Sequence, residues 1–347
     1  MKKKLVALMM AAAVFGTTLL TGCSSKPAEE KAEGGEAAEK EVKIAMVTDV
    51  GGVKDQSFNQ SAWEGLERAE KELGIKASYL ESKQDADYEP NLETLVDQEN
   101  NLIWGIGFKM ADGIAKAAEN YPDQQYAIVD FDFEDKTPAN VTGVMFKEQE
   151  ASYLVGLIAG KMTKTNKIGF LGGMDVPVIN RFRFGFLAGV KAANPNAEVM
   201  VQFANAFDQP AKGKAIANQM FQQGADIIFH AAGDTGNGMI EAAKEQNKMA
   251  IGVDRDQNSL APKNVITSAV KRVDNALFDV AKLIKDGEYK GGKTIKYGLK
   301  EGGVDIAPTT KDNVPAEILT FVEEQKAKII SGEIAVPGTE EEFNSMK

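Results

Sequence analysis

The chain has 347 residues, a formal net charge of −11, one cysteine and one histidine. The acidic balance argues against a nucleic-acid partner, because phosphates require a basic surface. A single cysteine excludes a disulfide within the chain, and one cysteine with one histidine argues against a zinc site.

The first 22 residues have the pattern of a secretory signal peptide. Three lysines follow Met1, and the apolar run LVALMMAAAVFGTTLL comes next. That run is shorter than the roughly 20 residues that a membrane helix needs. The following sequence, Leu20-Thr21-Gly22-Cys23, resembles the lipobox of bacterial lipoproteins, and this resemblance implies that Cys23 is lipidated. The alternative is an ordinary signal peptide with an incidental cysteine.

A polar stretch separates Cys23 from the folded part of the chain. Residues 24–41 carry many charges and no large apolar side chain, so they cannot bury enough surface to fold. We therefore expect 23–41 to be a lipidated, flexible tether that holds the protein on the extracytoplasmic face of the membrane. The folded part begins near Val42, and its length of about 300 residues suggests two domains.

Short β-rich apolar runs alternate with amphipathic runs along the folded part. This alternation predicts βαβ units around parallel sheets, and runs that are apolar on both faces predict sheets covered by helices on both sides. The predicted strands are VKIAMV at 42, ASYLES at 77, NLIWGIG at 101, YAIVDF at 126, VTGVMF at 141, KIGFLG at 167, EVMVQFA at 198, DIIFHA at 226, MAIGVD at 249 and VITSAV at 265.

Helices are predicted between most of these strands. Ser57 and Gln60 have the spacing of a capping box at the start of the first helix. The other predicted helices are 91–99, 111–120, 148–163, 179–193, 211–223, 237–246, 274–286 and 316–331.

The residues just after the strands are the candidates for a binding site, because ligands of open α/β sheets bind beyond the carboxyl ends of the strands. They combine carboxylates, amides and aromatic rings, a mixture that suits a polyhydroxylated ligand with a flat face. The strand-end residues are Asp49, Gly51, Gly52, Phe58, Asn59, Asp130, Asn180, Arg181, Phe182, Phe207, Phe229, Gly233, Asp254 and Lys271.

Other kinds of site are poorly supported. The segments at 49–59 and 233–238 lack the glycine spacing of a phosphate-binding loop, so the second is either a tight turn or a donor of one backbone amide at Gly233. No Gly-x-Ser-x-Gly motif accompanies His230, so a catalytic triad is not expected. Residues 130–136 lack the glycine and glutamate of a calcium-binding EF-hand and are interpreted as an acidic loop. We expect no enzymatic activity, no cofactor and no metal.

Four segments together resemble a known family. They are VTDVGGVKDQSFNQSAWEGL, GFLGGMDVPVINRFRFGFLAGVKAANP, HAAGDTGNGMIEAAKE and IGVDRDQ, in this order. They are similar to the corresponding segments of the basic-membrane-protein family, the purine-nucleoside-receptor-like lipoproteins that feed ABC transporters. The resemblance covers residues 42–340.

The resemblance implies an α/β type I periplasmic-binding-protein fold, with two Rossmann-like lobes of parallel sheet joined by three crossovers. The expected lobes are 42–146 plus 272–304 and 147–271 plus 305–347. A nucleoside, with a purine favoured, is expected in the cleft, captured by hinge closure. By this resemblance, the nine expected ligand-binding residues are Asp49, Phe58, Asn59, Asp130, Phe182, Phe229, Gly233, Asp254 and Lys271. Which of Phe182, Phe207 and Phe229 supplies the second stacking ring stays open.

The family also implies an ABC transporter permease as partner and a monomeric protein. Two alternatives stay open at this point. One is a receptor for a free sugar or a related small solute on the same fold, and the other is a surface lipoprotein that serves in interactions.

Overall fold

Two six-stranded sheets organise the part of the chain that the computed structural model describes, residues 41–346. The predicted signal peptide, the lipidated Cys23 and nearly all of the predicted tether lie outside these residues. The strands are β1 (Lys43–Val47), β2 (Lys76–Leu80), β3 (Leu102–Ile106), β4 (Gln125–Val129), β5 (Val141–Phe146), β6 (Lys167–Gly172), β7 (Glu198–Phe203), β8 (Ile227–Ala231), β9 (Met249–Asp254), β10 (Val265–Lys271), β11 (Lys293–Tyr297) and β12 (Val304–Ile306).

Each sheet contains strands from two parts of the sequence. The first has the order β11-β5-β4-β3-β1-β2 and is parallel throughout. The second has the order β12-β10-β9-β8-β6-β7, and only β12 is antiparallel to its neighbour β10. Strands such as β3 and β8 are buried along their whole length. Their continuous apolar runs fit sheets with helices on both faces.

The described residues form the helices α1 (Phe58–Leu73), α2 (Tyr88–Asp97), α3 (Ala111–Asn120), α4 (Glu148–Met162), α5 (Pro177–Ala193), α6 (Pro210–Gln222), α7 (Gly233–Glu245), α8 (Val273–Lys285), α9 (Thr310–Asn313), α10 (Ala316–Ser331) and α11 (Glu340–Ser345). Helices α1 to α8 lie between strands in sequence, and α9 to α11 follow β12. Each sheet with the helices packed on it is called a lobe below.

The chain passes from one sheet to the other three times, after β5, after β10 and after β11. Hydrogen bonds join the three crossovers. The amide of Lys147 donates to the carbonyl of Tyr297 at 2.8 Å, and the amide of Arg272 donates to Gly303 at 2.8 Å. These sheets and crossovers confirm the predicted α/β type I periplasmic-binding-protein fold.

The strand assignments support the lobe boundaries that we propose, 42–146 plus 272–304 and 147–271 plus 305–347. One residue at the last boundary differs, because Val304 begins β12 and pairs with Lys271 in the second sheet.

The structure departs from the sequence prediction at several elements. All ten predicted strands are present, but β11 and the three-residue β12 were not predicted. The predicted capping box is wrong, because Ser57 makes no side-chain bond to its helix. The helix predicted from 237 begins at Gly233. Within the acidic loop, Glu134–Lys136 forms one turn of 3₁₀ helix.

Candidate functional site

A cavity with an empty volume of about 580 Å³ lies between the two lobes. Its walls come from residues that follow strands of both sheets, as expected for this fold. The lining residues are Asp49, Gly51, Asp55, Phe58, Asn59, Gly107, Phe108, Asp130, Val178, Ile179, Phe182, Phe207, Ala231, Ala232, Gly233, Val253, Asp254 and Lys271.

The turn after β1 brings two of the candidate residues into contact. One carboxylate oxygen of Asp49, Oδ1, accepts hydrogen bonds from the amide of Gly51 at 2.9 Å and from Asn59 Nδ2 at 2.7 Å. A Cβ on Gly51 would lie 3.1 Å from Asn59 Nδ2, so a glycine allows this close approach. Burial raises the pKa of Asp49 to about 6. The hydrogen bonds fix Oδ1, and Oδ2 makes none within the described residues.

Asp55, which the sequence analysis did not single out, supports the start of α1. Its carboxylate accepts hydrogen bonds from the amides of Ser57 at 2.9 Å, Asn59 at 2.9 Å and Gln60 at 3.1 Å. A carboxylate at this position satisfies amides that have no partner inside the helix and interacts favourably with the helix dipole. Asp55 lies three residues before the first residue of α1, and this position could have indicated its role. The spacing of Ser57 and Gln60 instead suggested a capping box.

Four phenylalanines line the cavity: Phe58, Phe108, Phe182 and Phe207. Phe58 and Phe207 are half-buried, whereas Phe182 is almost completely buried. Their rings provide apolar faces on which a flat ligand can stack.

Phe229 does not line the cavity, although it was one of the predicted ligand-binding residues. Its ring is fully buried and lies 5.0 Å from the ring of Phe186 and 5.6 Å from that of Phe170, between centroids. Because β8 is covered on both faces, this side chain packs in the core beneath Phe182. Phe182 and Phe207, the other two candidates for the second stacking ring, do line the cavity.

A buried chain of charges runs from one lobe to the other beside the cavity. Lys271 Nζ donates to both carboxylate oxygens of Asp130, at 2.6 and 2.7 Å, and lies 3.0 Å from Glu148 Oε1. Glu148 also accepts a hydrogen bond from Arg181 Nε at 2.5 Å. Each charge in the chain therefore has an opposite partner, as burial requires.

Neighbouring charges of opposite sign keep Lys271 and Glu148 ionised despite their burial, whereas burial outweighs Lys271 at Asp130 and raises the pKa of that carboxyl group. Burial lowers the pKa of Lys271, but the carboxylates of Asp130, Glu148 and Asp254 outweigh it and raise the pKa. Burial would likewise raise the pKa of Glu148, but the neighbouring Lys271 and Arg181 lower it. Sequence reasoning missed Glu148, because it lies at the start of a helix and not at the end of a strand.

Asp130 and Asp254 share a backbone conformation that is uncommon for residues other than glycine. Their φ angles are 68° and 63°, in the left-handed region. Such conformations cluster at functional sites. The hydroxyl of Ser57 donates to Asp254, and burial raises the pKa of Asp254 to about 7.

Gly233 lines the cavity as the first residue of α7, with a φ of 54°. A Cβ there would lie 3.1 Å from the carbonyl oxygen of Phe207. Three other strand-end residues are outside the cavity lining. They are Gly52, Asn180, whose amide donates to Asp175 at 2.8 Å, and Arg181, which pairs with Glu148.

Other chemistry finds little support in the described residues. His230 is fully buried, its Nε2 lies 2.9 Å from Gln257 Oε1, and burial lowers its pKa to about 4. Between residues 41 and 346 there is no group of three or more His, Cys, Asp or Glu side chains that could hold a metal ion. The arrangement is suited to holding a neutral, flat and hydroxylated molecule between aromatic rings and charged groups.

None of the helices in the described part of the chain is long and apolar enough to cross a membrane.

Comparison with known proteins agrees with the architecture. A family model described as ABC transporter substrate-binding protein PnrA-like, or Bmp, matches residues 42–340. The chain is 44% identical to a CD4+ T-cell-stimulating antigen of Listeria innocua, over 97% of this chain and 99% of the relative. It is 39% identical, with the same coverage, to the ABC transporter nucleoside-binding protein BmpA of Lactococcus lactis.

A solved structure shares the fold. The crystal structure of an ABC transporter solute-binding protein from Aeropyrum pernix K1 is 31% identical and superimposes with a TM-score of 0.79. The match covers 88% of this chain and 96% of that protein.

Proposed function

The chain belongs to the Bmp family of PnrA-like ABC transporter substrate-binding proteins, and we propose that it captures nucleosides, purine nucleosides first among them, in the cavity between its lobes. The observation that carries the proposal is the meeting of phenylalanine rings with Asp49, Asn59 and Lys271 in one cavity. The relative from Lactococcus lactis, a nucleoside-binding protein by name, supports the same ligand class.

Each part of a nucleoside has matching residues in the cavity. Phe58 stacks on one face of the base, and Phe182 or Phe207 lies against the other. The base edge bonds to Asp49 and Asn59, whose carboxylate and amide offer both acceptors and donors.

The ribose hydroxyls bond to the charged end of the cavity. Asp130, Asp254 and Lys271 together supply acceptors and a donor for vicinal hydroxyls, and Gly233 adds its backbone amide. The left-handed backbone of Asp130 and Asp254 supports a functional role for these two positions.

The proposed mechanism is capture by closure of the two lobes, followed by delivery to a permease. Lipid attachment at Cys23 anchors the monomeric protein on the extracytoplasmic face of the membrane. Such a protein needs no catalytic group, and we propose that it has no enzymatic activity.

A thermal-shift series tests the proposal. The protein from residue 24 onward is heated with adenosine, guanosine, inosine, cytidine, uridine or free ribose. A ligand that binds only the folded protein stabilises it by about 2.7 kcal/mol at 100 times its Kd. We expect the melting temperature to rise with purine nucleosides and to stay unchanged with ribose.

Other outcomes of this series contradict the proposal. A higher melting temperature with ribose alone would identify the protein as a receptor for a free sugar. If no compound raises the melting temperature, the proposed ligand class is wrong. That result would favour the alternative of a surface lipoprotein that serves in interactions.

A further inference from the structure

A second set of contacts joins the lobes outside the cavity. On the first lobe it involves Asp55 and Gln56, which precede α1, and Glu64 within that helix. On the second lobe it involves Asn237 of α7, together with Arg255 and Gln257, which follow β9. We call these six residues the interlobe latch.

An ion pair forms the outer part of the latch. Arg255 Nε donates to Glu64 Oε2 at 3.0 Å, and Arg255 Nη2 donates to Glu64 Oε1 at 2.5 Å. The two parallel bonds add a defined geometry to the attraction between the opposite charges. The two side chains are 27% and 40% exposed, so water screens part of their attraction.

Two amide side chains form the inner part. Asn237 Nδ2 donates to the carbonyl of Asp55 at 2.9 Å, and Gln257 Nε2 donates to the carbonyl of Gln56 at 3.1 Å. Gln257 is only 2% exposed. On separation of the lobes these bonds would be exchanged for bonds to water, so each contributes a modest net stabilisation to contact between the lobes.

The only histidine of the chain orients this buried amide. Gln257 Oε1 accepts a hydrogen bond from the amide of Val253 at 2.9 Å, and His230 Nε2 lies 2.9 Å from the same oxygen. The backbone donor identifies this atom as the oxygen of the side chain, so the NH₂ group must face Gln56. His230 then carries its hydrogen on Nε2. The role of His230 is therefore to position Gln257.

We propose that the interlobe latch stabilises the closed form and thereby sets the ligand affinity, with Asn237, Arg255 and Gln257 as positioning residues that do not touch the ligand. Of the latch residues, only Asp55 lines the cavity. Asp55 is three residues before Phe58, so the contacts hold the segment that carries one wall of the site.

The effect on affinity follows from the population of the closed form. If only the closed form binds, the apparent Kd is the intrinsic Kd divided by the closed fraction. Loss of a latch contact lowers that fraction and raises the apparent Kd. The affinity part of the inference rests on the proposed function, whereas the conformational part does not.

The test measures the distance between the lobes and the ligand affinity in the same variants. Spin labels on Glu93→Cys and Lys244→Cys, both at exposed positions on different lobes, report the distance by electron–electron double resonance. The protein from residue 24 onward has no other cysteine. Adenosine and guanosine are the probes for calorimetry.

We expect Arg255→Gln to shift the ligand-free distance distribution to longer values and to raise the Kd for the binding probe about threefold. Combining Glu64→Arg with Arg255→Glu restores the pair with reversed charges, and both readouts should return toward those of the wild type. Lys214→Gln is the matched control, because its partly exposed pair with Glu245 lies within the second lobe. It should change neither readout.

A second variant tests the buried amide. Gln257→Glu keeps the oxygen that Val253 and His230 use, but it removes the hydrogens that the Gln56 carbonyl accepts. We expect a longer interlobe distance and a Kd about tenfold higher.

The readouts separate the two proposals. If the ligand-free distance distributions of Arg255→Gln and Gln257→Glu match that of the wild type, the latch is disproved regardless of nucleoside binding. A longer distance with an unchanged Kd would disprove its effect on affinity. If neither nucleoside binds but the distances lengthen, the latch stands as a closure device and the ligand assignment fails.

Discussion

Several residues at the cavity have features that cost free energy of folding: a left-handed backbone or a buried charge. Asp130 and Asp254 have left-handed backbones, and Lys271 is ionised while only 2% exposed. The partners of Lys271 offset part of the cost of its burial, since Asp130 and Glu148 both lie within 3.0 Å of Nζ. The arrangement keeps hydrogen-bonding groups at the cavity wall.

Phe58 is the residue at which stacking can be measured most directly. We expect Phe58→Ala to weaken binding of a purine nucleoside by about 10- to 100-fold, because stacking of a base on an aromatic ring contributes about 1–3 kcal/mol. Calorimetry gives the Kd, and the melting temperature without ligand reports the fold.

The control for this variant is Phe343→Ala, another half-buried phenylalanine, which packs on Phe184 in the second lobe. It should leave the affinity unchanged. An unaltered Kd in Phe58→Ala would remove this ring from the site.

Asp254 should make the stability of the ligand-free protein depend on pH. Burial raises its pKa from 3.8 to about 7, so the folded protein binds this proton more tightly than the unfolded chain does. The free energy of unfolding of the wild type should therefore fall relative to that of Asp254→Asn as the pH rises from about 4 to 7. The slope is at most about 1.4 kcal/mol per pH unit.

Urea unfolding of both proteins across this pH range measures the difference. His230, whose pKa is lowered to about 4, has the opposite effect, and its contribution is lost as the pH falls from about 6.5 to 4. It is common to both proteins and cancels in the difference. Parallel stability curves would show that Asp254 has an ordinary pKa.

At the scale of elements, close packing of α4 on α5 depends on glycine. A Cβ on Gly156 would lie 2.5 Å from the carbonyl oxygen of Phe186, and one on Gly189 would overlap the carbonyl oxygen of Tyr153. Both obstacles are backbone atoms, which cannot move aside as a flexible side chain can. The two helices therefore approach more closely than larger residues would allow.

We expect Gly189→Ala to lower the free energy of unfolding by about 1–3 kcal/mol or more, because the added methyl group overpacks a rigid contact. Chemical denaturation provides the measurement. Gly113→Ala in α3 is the control, since its Cβ would meet only side-chain atoms, of Leu92 at 3.3 Å and of Glu89 at 3.6 Å. The control should be neutral or more stable by up to about 1 kcal/mol. Equal stability of Gly189→Ala and the wild type would contradict the packing argument.

At the scale of the whole molecule, the binding site depends on the relative position of the two lobes. The first sheet supplies Asp49 and Asp130, and the second supplies Asp254 and Lys271. The three crossovers keep the lobes together while leaving contacts such as the interlobe latch free to form or break. In the proposed mechanism, this division allows capture and release of a ligand without unfolding either core.

Attachment to the membrane is a property of the whole protein and is proposed for Cys23. We expect Cys23→Ser, expressed in a lipoprotein-processing bacterium, to move the protein from the membrane fraction to the soluble fraction. Immunoblotting of the fractions gives the measurement, with Ser25→Ala as the control that should stay with the membrane. A membrane-bound Cys23→Ser protein would contradict a lipid anchor at this residue.

The order of the strands β1 to β10 and of the helices between them follows from the sequence alone, because periodicity of apolar residues reports local burial. The sequence also placed candidate ligand residues at the ends of strands, and eight of the nine predicted site residues line the cavity. The exception, Phe229, shows the limit of this reasoning. A ring at the end of a buried strand has the same sequence signature whether it faces the core or the cavity.

Which side chains meet depends on the tertiary structure. Asp55 replaces Ser57 as the acceptor at the start of α1, and Ser57 bonds Asp254 from the other lobe. Glu148 pairs with Lys271, which is distant in sequence. The short strands β11 and β12 exist through pairing with β5 and β10. These contacts depend on how two separately packed sheets approach each other, and local hydrophobic patterns carry no information about that approach.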